Sequence, residues 1–569
     1  MAIPYRLIDN PDGSVDILLF PGGGEELARE LFPFRALRSP EARRVLYVRA
    51  VKVVLAGGLA VTLPLSSLAL RKTGDNYAMS YIYFGTAEQQ TQNALRAADV
   101  LDVISPSYFD LNADGSLKLN AVSQSFVSSM HSRGIRVVPF LSNHWDRISG
   151  VAALENAEAL STQIAQAVEK YNLDGVNVDI ENVTHTHRAQ YVELVRLLRQ
   201  KLPQGKEVSV AVAANPKGWS TGWHGSYDYA GLARYADHLF LMTYDEHYSG
   251  GDAGPVASYS FVEQSIEYAL RHVSADKLVL GIPFFGRMWN EAGTVAGQGV
   301  SLEQVRSIKG EFGGSVGYDS ERRSPVLYTT LTRSIKVSGH TLPAGKYEIW
   351  YENADSIKAK LALVNRYGLK GAGNWSAGQE TTDVWDYYEL WLNGTYFSDI
   401  SNHFAKDEII RLSGEGVLKG VSDSQFGPEQ RLTRAQAAAI AVRTLGLPLS
   451  DEQAPFSDTR WHWANREIAA AVRVGLFEGY PDGTFRPDAP VTRAEMTAVL
   501  ARMLEASLEG RGAGFSDLTE SHWAYHEIIA LSQMGILNGY TDGTFRPDAA
   551  ITRGEGAAIL GRAWDELKK

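Results

Sequence analysis

Along the chain the spacing of hydrophobic and polar positions changes character twice. Up to about residue 74, short β-branched runs dominate. Alternating residues in Arg44–Leu55 and Leu59–Leu65 flank Ala56-Gly57-Gly58, the pattern of a hairpin, and a helix is predicted at Glu25–Phe32 after the Pro21-Gly22-Gly23-Gly24 break. Residues 1–74 therefore read as a small α+β accessory domain with no motif tied to chemistry.

From 75 to 394, short apolar runs alternate with longer stretches of helical period. The runs Tyr77–Phe84, Val103–Tyr108, Arg136–Leu141, Gly175–Ile180, Val208–Ala213, His238–Thr243, Lys277–Ile282 and Gly371–Trp375 predict eight strands. Helices are predicted at Thr86–Asp99, Asn120–Arg133, Asn156–Tyr171, Arg188–Leu202, Phe261–Val273 and Ala354–Tyr367. Eight strands with intervening helices suggest a (β/α)8 barrel, a doubly wound sheet being the alternative. The interval 290–349 is too long for one barrel loop and reads as a small α+β insertion after the seventh strand.

Beyond 394 the pattern is helical and it repeats. Thr433-Arg434-Ala435-Gln436 returns as Thr492-Arg493-Ala494-Glu495 and Thr552-Arg553-Gly554-Glu555, with arginines 59 and 60 residues apart. The Gly479-Tyr480-Pro481-Asp482-Gly483 turn returns as Gly539-Tyr540-Thr541-Asp542-Gly543. Each unit (395–450, 451–510, 511–569) reads as helix, Gly-rich turn and helix, with Thr at the N-cap and Glu or Gln at the capping-box position. Two short helices bury too little alone, so three copies are expected to pack around a shared centre.

Length and composition narrow the chemistry. The 569 residues carry a formal charge of −11 and no cysteine, which excludes disulfides and thiolate metal sites and gives no bulk attraction to nucleic acid or anionic membrane. The length implies three or four domains. The start Met1-Ala2-Ile3-Pro4 lacks the features of a secretory leader, so an exported protein would have had its leader removed. Val53–Leu70 holds 18 uncharged residues, the lower limit for a membrane helix, but glycine, proline and serine interrupt it and a hairpin is preferred over a membrane span.

The octet Asp174-Gly175-Val176-Asn177-Val178-Asp179-Ile180-Glu181 places Asn177, Asp179 and Glu181 on one strand face and valines and isoleucine on the other. Carboxylates two residues apart at the C-terminal end of a barrel strand lie where barrel enzymes keep their chemistry. Their mutual repulsion should raise one proton affinity, and Glu181, the outermost, reads as a general acid. A bare Asp-x-Glu is more often a cation-binding loop or a helix cap.

The octet resembles the Asp-x-x-Asp-x-Asp-x-Glu signature of glycoside hydrolase family 18. Met242-Thr243-Tyr244-Asp245, Gly281-Ile282-Pro283-Phe284-Phe285-Gly286-Arg287 and Trp375 stand at further positions of that family. Asn177 replaces an aspartate, as in the family's spore-cortex-lytic branch, and is expected to hold Asp179 by an amide hydrogen bond. The resemblance implies a retaining, substrate-assisted cleavage of β-1,4 bonds after N-acetylglucosamine, without metal or cofactor. Glu181 would protonate the glycosidic oxygen, the 2-acetamido oxygen would attack the anomeric carbon, and Asp179 would orient the acetamide. Tyr244 would donate to the acetamide oxygen, with Asp174, Asp245, Trp375, Met242 and Arg287 binding substrate. Trp145, Trp219, Trp223 and Trp289 are further stacking candidates. Peptidoglycan is the preferred glycan, chitin the runner-up, and a non-catalytic glycan-binding scaffold the alternative of another class.

The repeats resemble S-layer homology modules, which implies an all-α pseudo-threefold bundle that anchors the protein to an acidic secondary cell-wall polysaccharide on the bacterial surface. From Ser401 onward 18 basic residues face 23 acidic ones, so recognition must be focal. Arg434, Arg493 and Arg553, each at a helix start, are the expected ligands, with Gly479, Tyr480, Gly539 and Tyr540 beside them. Val421, Ser424, Gln425 and Gly427 break the pattern in the first repeat, whose groove is expected to be weak or purely structural.

Overall fold

The computed structural model describes residues 76–506 and 514–568 and, before them, the strands Tyr5–Asp9, Val15–Leu19, Ala50–Val54 and Ala60–Pro64. These four strands form a sheet in that order. The last two pair antiparallel with Val53 opposite Val61, in the place of the expected hairpin. The helix expected at Glu25–Phe32 and the glycine break before it lie outside the described residues. Among the described residues no helix is long and apolar enough to cross a membrane. The chain divides into two compact units: residues 1–360 with 367–385, and 361–366 with 386–569.

The first unit contains a ring of parallel strands: β1 (Tyr77–Ile82), β2 (Val103–Pro106), β3 (Arg136–Val137 and Phe140–Ser142), β4 (Gly175–Asp179), β5 (Glu207–Ala213), β6 (His238–Met242), β7 (Leu278–Pro283) and β8 (Gly371–Trp375). Consecutive strands pair in parallel and β8 pairs with β1, so the sheet closes and the doubly wound alternative is excluded. β3 is split because Pro139 has no N–H to donate. Its first half pairs with β2 and its second with β4, while Val138 N–H still donates to Ile104 O at 3.0 Å and Pro139 O accepts from Asn177 N–H at 2.9 Å. Alternate residues point inward, and Tyr77, Met79 and Tyr81 of β1 join Val103, Phe140 and Phe240 in a buried hydrophobic cluster against which Met242, Tyr244 and Trp375 pack.

All six expected barrel helices form, for instance Ala87–Arg96 with its Thr86–Gln89 capping box and Arg188–Lys201. Two more, Arg147–Glu155 and Tyr229–Tyr235, are capped by Asp146 and Asp228. Neither was expected from the apolar spacing of the sequence. The inserted sheet takes in Phe285–Asn290, starting before the expected 290, because the chain turns directly from Pro283 into that strand. Its order is Gln298–Ser301, Phe285–Asn290, Gly345–Trp350, Ser324–Leu331, Ser315–Asp319. The helix Leu302–Phe312 contributes Val305 and Ile308 to the core of this sheet.

In the second unit each repeat gives two helices: Lys406–Gly414 and Arg434–Leu445, Asn465–Arg473 and Arg493–Met503, Tyr525–Gln533 and Arg553–Leu567. The second helix of each repeat packs on the first helix of the next, and the last packs on the first repeat. Short bridges Thr433↔Pro490, Thr492↔Ala550 and Arg431↔Thr552 follow the same order.

Candidate active site

β4 delivers the acidic face as its alternation requires. Val176, Val178 and Ile180 are fully buried on one side, and Asn177 and Asp179 are buried on the other. The Asn177 amide does not hold Asp179, contrary to expectation. Its Oδ1 accepts from the Tyr81 hydroxyl at 2.8 Å and its Nδ2 donates to Ser209 Oγ at 2.9 Å. Geometry explains this, because residues i and i+2 on one strand lie about 6.5–7 Å apart while neighbouring strands lie about 4.8 Å apart. The polar column continues downward: Ser209 donates to Glu207 Oε1 at 3.3 Å, as does the Tyr77 hydroxyl at 3.1 Å, and Arg136 donates to Oε2 at 2.7 Å.

Asp179 Oδ1 is buried and has no hydrogen-bond partner among the described residues. Burial pushes its carboxyl well above the usual carboxylate range. Glu181, at the strand's end, is raised for the same reason and further by the charges of Asp179 and Asp245. The pair is thus disposed to keep a proton near neutrality. Asn143 fixes the acid's backbone: its Oδ1 accepts from Glu181 N–H and its Nδ2 donates to Glu181 O, both at 2.8 Å.

Around the acids lies a cleft of about 640 Å3, lined by Asp179, Glu181, Met242, Tyr244, Asp245 and Trp375, with Arg287, Gln304 and His340 supplied by the insertion. Asp245, in left-handed backbone at φ 58°, receives Nε and Nη2 of Arg287 on one carboxylate oxygen, each at 2.8 Å. Trp375 closes β8 and is followed by a cis peptide. Its ring centroid lies 5.3 Å from that of Tyr81 and 5.9 Å from those of Phe140 and Tyr83, forming an aromatic floor.

Two expected participants lie elsewhere. Asp174 precedes the N-terminal end of β4, opposite the acids, where it accepts from Val137 N–H at 2.8 Å and contacts His131 Nε2 at 2.6 Å. It ties strands together at the base of the barrel. Trp289 is buried against Val326 and Trp350, its Nε1 donating to Gly251 O at 2.9 Å, so it is core. Trp145 and Trp219 are about half exposed, at 48% and 43%, and Trp145 packs edge-on to Trp223 at 5.2 Å. Asn143, Gln304 and His340 carried no sequence signal. Tyr83 and Phe84, expected as the end of the first strand, lie just after β1 as an exposed aromatic pair.

The repeat arginines are less open than expected: Arg434, Arg493 and Arg553 are all buried. Each reaches across to the turn of the following repeat. Arg434 Nε donates to Phe485 O at 2.9 Å, Arg493 Nε to Phe545 O at 2.8 Å and Arg553 Nε to Phe426 O at 2.9 Å. Tyr480 lies between Arg434 and Arg486, and Tyr540 between Arg493 and Arg546. Gly479 and Gly539 sit so close to Phe456 and Phe515 that a Cβ would come within 2.0 and 2.5 Å of ring carbons, so both are packing glycines.

Comparison with known proteins agrees with both halves. The model of glycosyl hydrolases family 18 matches residues 79–380, and the S-layer homology domain matches 396–438, 455–497 and 514–557. The chain is 26% identical over 310 residues to the cortical fragment-lytic enzyme of Bacillus subtilis, covering 52% of this chain and 70% of that one. It is 39% identical over 161 residues to cell surface glycoprotein 1 of Acetivibrio thermocellus, 26% of this chain and 7% of that one. For two further curated relatives, the chain spans 62% and 50% of their lengths. Among solved structures, the Bacillus cereus spore cortex-lytic enzyme SleL aligns with a TM-score of 0.50 at 20% identity, over 60% of this chain and 78% of that one, a likeness of fold.

Proposed function

The chain belongs to glycosyl hydrolase family 18 and carries three S-layer homology repeats, and from the geometry of its cleft we propose that it is a surface-anchored hydrolase of N-acetylated wall glycan. The observation that carries this reading is the buried Oδ1 of Asp179, without a hydrogen-bond partner among the described residues, beside the raised carboxyl of Glu181. A buried acceptor without a donor is costly, and a substrate acetamide N–H meets that need.

In this reading Glu181 donates its proton to the glycosidic oxygen as the bond breaks. The acetamide oxygen of the sugar on the Trp375 floor attacks the anomeric carbon, while Asp179 accepts the acetamide N–H and offsets the developing positive charge. Tyr244, on the cleft wall, donates to the acetamide oxygen, and Asp245, held by Arg287, binds the same sugar. Glu181, now ionised, takes a proton from water, whose oxygen attacks the anomeric carbon from the face left by the leaving group, so configuration is retained. The bond cleaved is the one following N-acetylglucosamine, and peptidoglycan is the substrate favoured by a wall anchor on the same chain.

The three repeats form a pseudo-threefold unit that holds an acidic wall polymer, placing the enzyme outside the cell. The cyclic reach of each arginine into the next repeat supports this. Release of new reducing ends from N-acetylated glycans by wild type, lost in Glu181→Gln, tests the catalytic half. Pelleting of the full chain with native walls but not with walls stripped of secondary polymer tests the anchor.

A further inference from the structure

We propose that His144, oriented by Asp110, is a positioning residue for the reaction, its imidazolium supplying the counter-charge that lets Asp179 ionise in its buried place. This rests on the hydrolase reading above, in which Asp179 accepts the acetamide N–H as an anion. A buried carboxylate is costly unless a cation answers it.

The basic residues that line the cleft are committed elsewhere. Arg287 gives Nε and Nη2 to Asp245 and Nη1 to Gly297 O at 2.8 Å. His340 stands on the hairpin of the insertion, its Nδ1 3.1 Å from Ser338 O. Arg136, at the foot of the polar column, is paired with Glu207.

The register of the sheet places His144 beside the acid. Ser142, the last residue of β3, lies opposite Asp179 of β4 on one side and opposite Asp110 of the strand Phe109–Leu111 on the other. With neighbouring strands about 4.8 Å apart, two acidic residues therefore flank one position of β3. His144 folds back over that position: its N–H donates to Ser142 Oγ at 3.0 Å, and its backbone is left-handed at φ 46°, as is that of Trp145 at 66°. The turn is pinned to the end of β4 on both sides of the histidine, by Asn143 on Glu181 and by Asn182 Nδ2 donating to Trp145 O at 2.9 Å.

Asp110 fixes the ring. Its Oδ1 lies 2.8 Å from His144 Nε2 and its other oxygen 3.7 Å from Lys118, and the reaction as derived makes no use of this buried carboxylate. The imidazole, about half exposed, stands 6.2 Å from the Tyr83 ring at the edge of the aromatic floor. The groups facing it are thus Asp110 and Lys118 from the strand pair beside β3, Tyr83 from the end of β1 and Asp179 from β4. Burial raises the Asp179 carboxyl, and the charge of His144 opposes that rise. Glu181 responds to burial, Asp179 and Asp245 instead.

The test is the pH profile of kcat/KM for reducing-end release from an N-acetylglucosamine tetramer by the full chain, whose acid limb reports ionisation of Asp179. His144→Gln keeps a group able to donate to Asp110 but not the charge. It should move the acid limb to higher pH and leave the alkaline limb, set by Glu181, in place. His144→Arg restores a cation and should return the acid limb toward wild type. Asp110→Asn separates two roles: a carboxylate acting directly on Asp179 raises its proton affinity, so its loss would move the limb to lower pH, whereas loss of the group that holds the imidazolium moves it to higher pH, the expected result. Melting temperatures confirm that each variant folds, and Asp110→Asn alone carries the test if the His144 variants do not. An acid limb that His144→Gln leaves in place, that His144→Arg does not recover, or that Asp110→Asn moves to lower pH overturns the assignment and leaves the hydrolase reading intact, because turnover by wild type and its loss in Glu181→Gln are measured separately. No release by wild type from the tetramer or from peptidoglycan removes both.

Discussion

Asn143 clasps Glu181 through the main chain, accepting its N–H and donating to its carbonyl, both at 2.8 Å. This contact sets where the acid stands without touching its carboxyl. Asn143→Ala is expected to lower kcat by about tenfold to a hundredfold, with KM changed little, because orientation and not binding is lost. A variant with wild-type kcat would show that the β4 end holds its shape unaided.

The alkaline limb of the pH profile should report Glu181. Its carboxyl is raised by burial, then by the charges of Asp179 and Asp245, so activity falls as pH rises through its pKa. Asp245→Asn removes one like charge and should shift that limb of kcat/KM to lower pH, the neighbouring Arg287 moderating the change. A limb that stays in place would mean that the Asp245 charge is fully answered by the arginine.

Asp179 offers a stability test of the opposite kind. Burial raises its carboxyl to about 7, above the value of an unfolded chain. The folded state therefore binds this proton more tightly: its stability is full below the ordinary carboxylate range and declines as pH rises toward and through the raised value. Asp179→Asn should be at least about a hundredfold less active yet melt higher than wild type above about pH 7, the two converging near about pH 4. Equal melting temperatures across that range would place the ionised carboxylate in a better-solvated setting than its burial implies.

The column beneath the site is structural. Glu207 is buried and receives Arg136, Tyr77 and Ser209 together. Glu207→Ala leaves these donors without an acceptor and is expected to cost about 3 kcal/mol in urea unfolding. A loss below about 1 kcal/mol would indicate that the donors find other partners.

Much of this was legible in the chain and some was not, for physical reasons. The ring of strands was readable because strands buried on both faces are short apolar runs, and Asp179 and Glu181 because carboxylates interrupt such a run at its end. Asn177 was misread as a partner of Asp179 because sequence shows neighbours along a strand, whereas its partners Tyr81 and Ser209 lie across the sheet. Asp174 belongs to the motif by spacing, yet the rise of five strand residues carries it to the opposite end of the barrel. Trp289 looked like a sugar platform, but only the fold reveals that Val326 and Trp350 cover it. Asn143 was invisible because its role is a pair of main-chain contacts made from another loop.

The most direct test of the central claim is the identity of the new reducing end. Purified peptidoglycan is digested with wild type and with Glu181→Gln, the products are reduced with borohydride, and the terminal sugar alcohols are identified by mass spectrometry. The expected result is reduced N-acetylglucosamine at the new ends with wild type and none above background with Glu181→Gln. New ends that carry only reduced N-acetylmuramic acid, or equal release by both proteins, would contradict it.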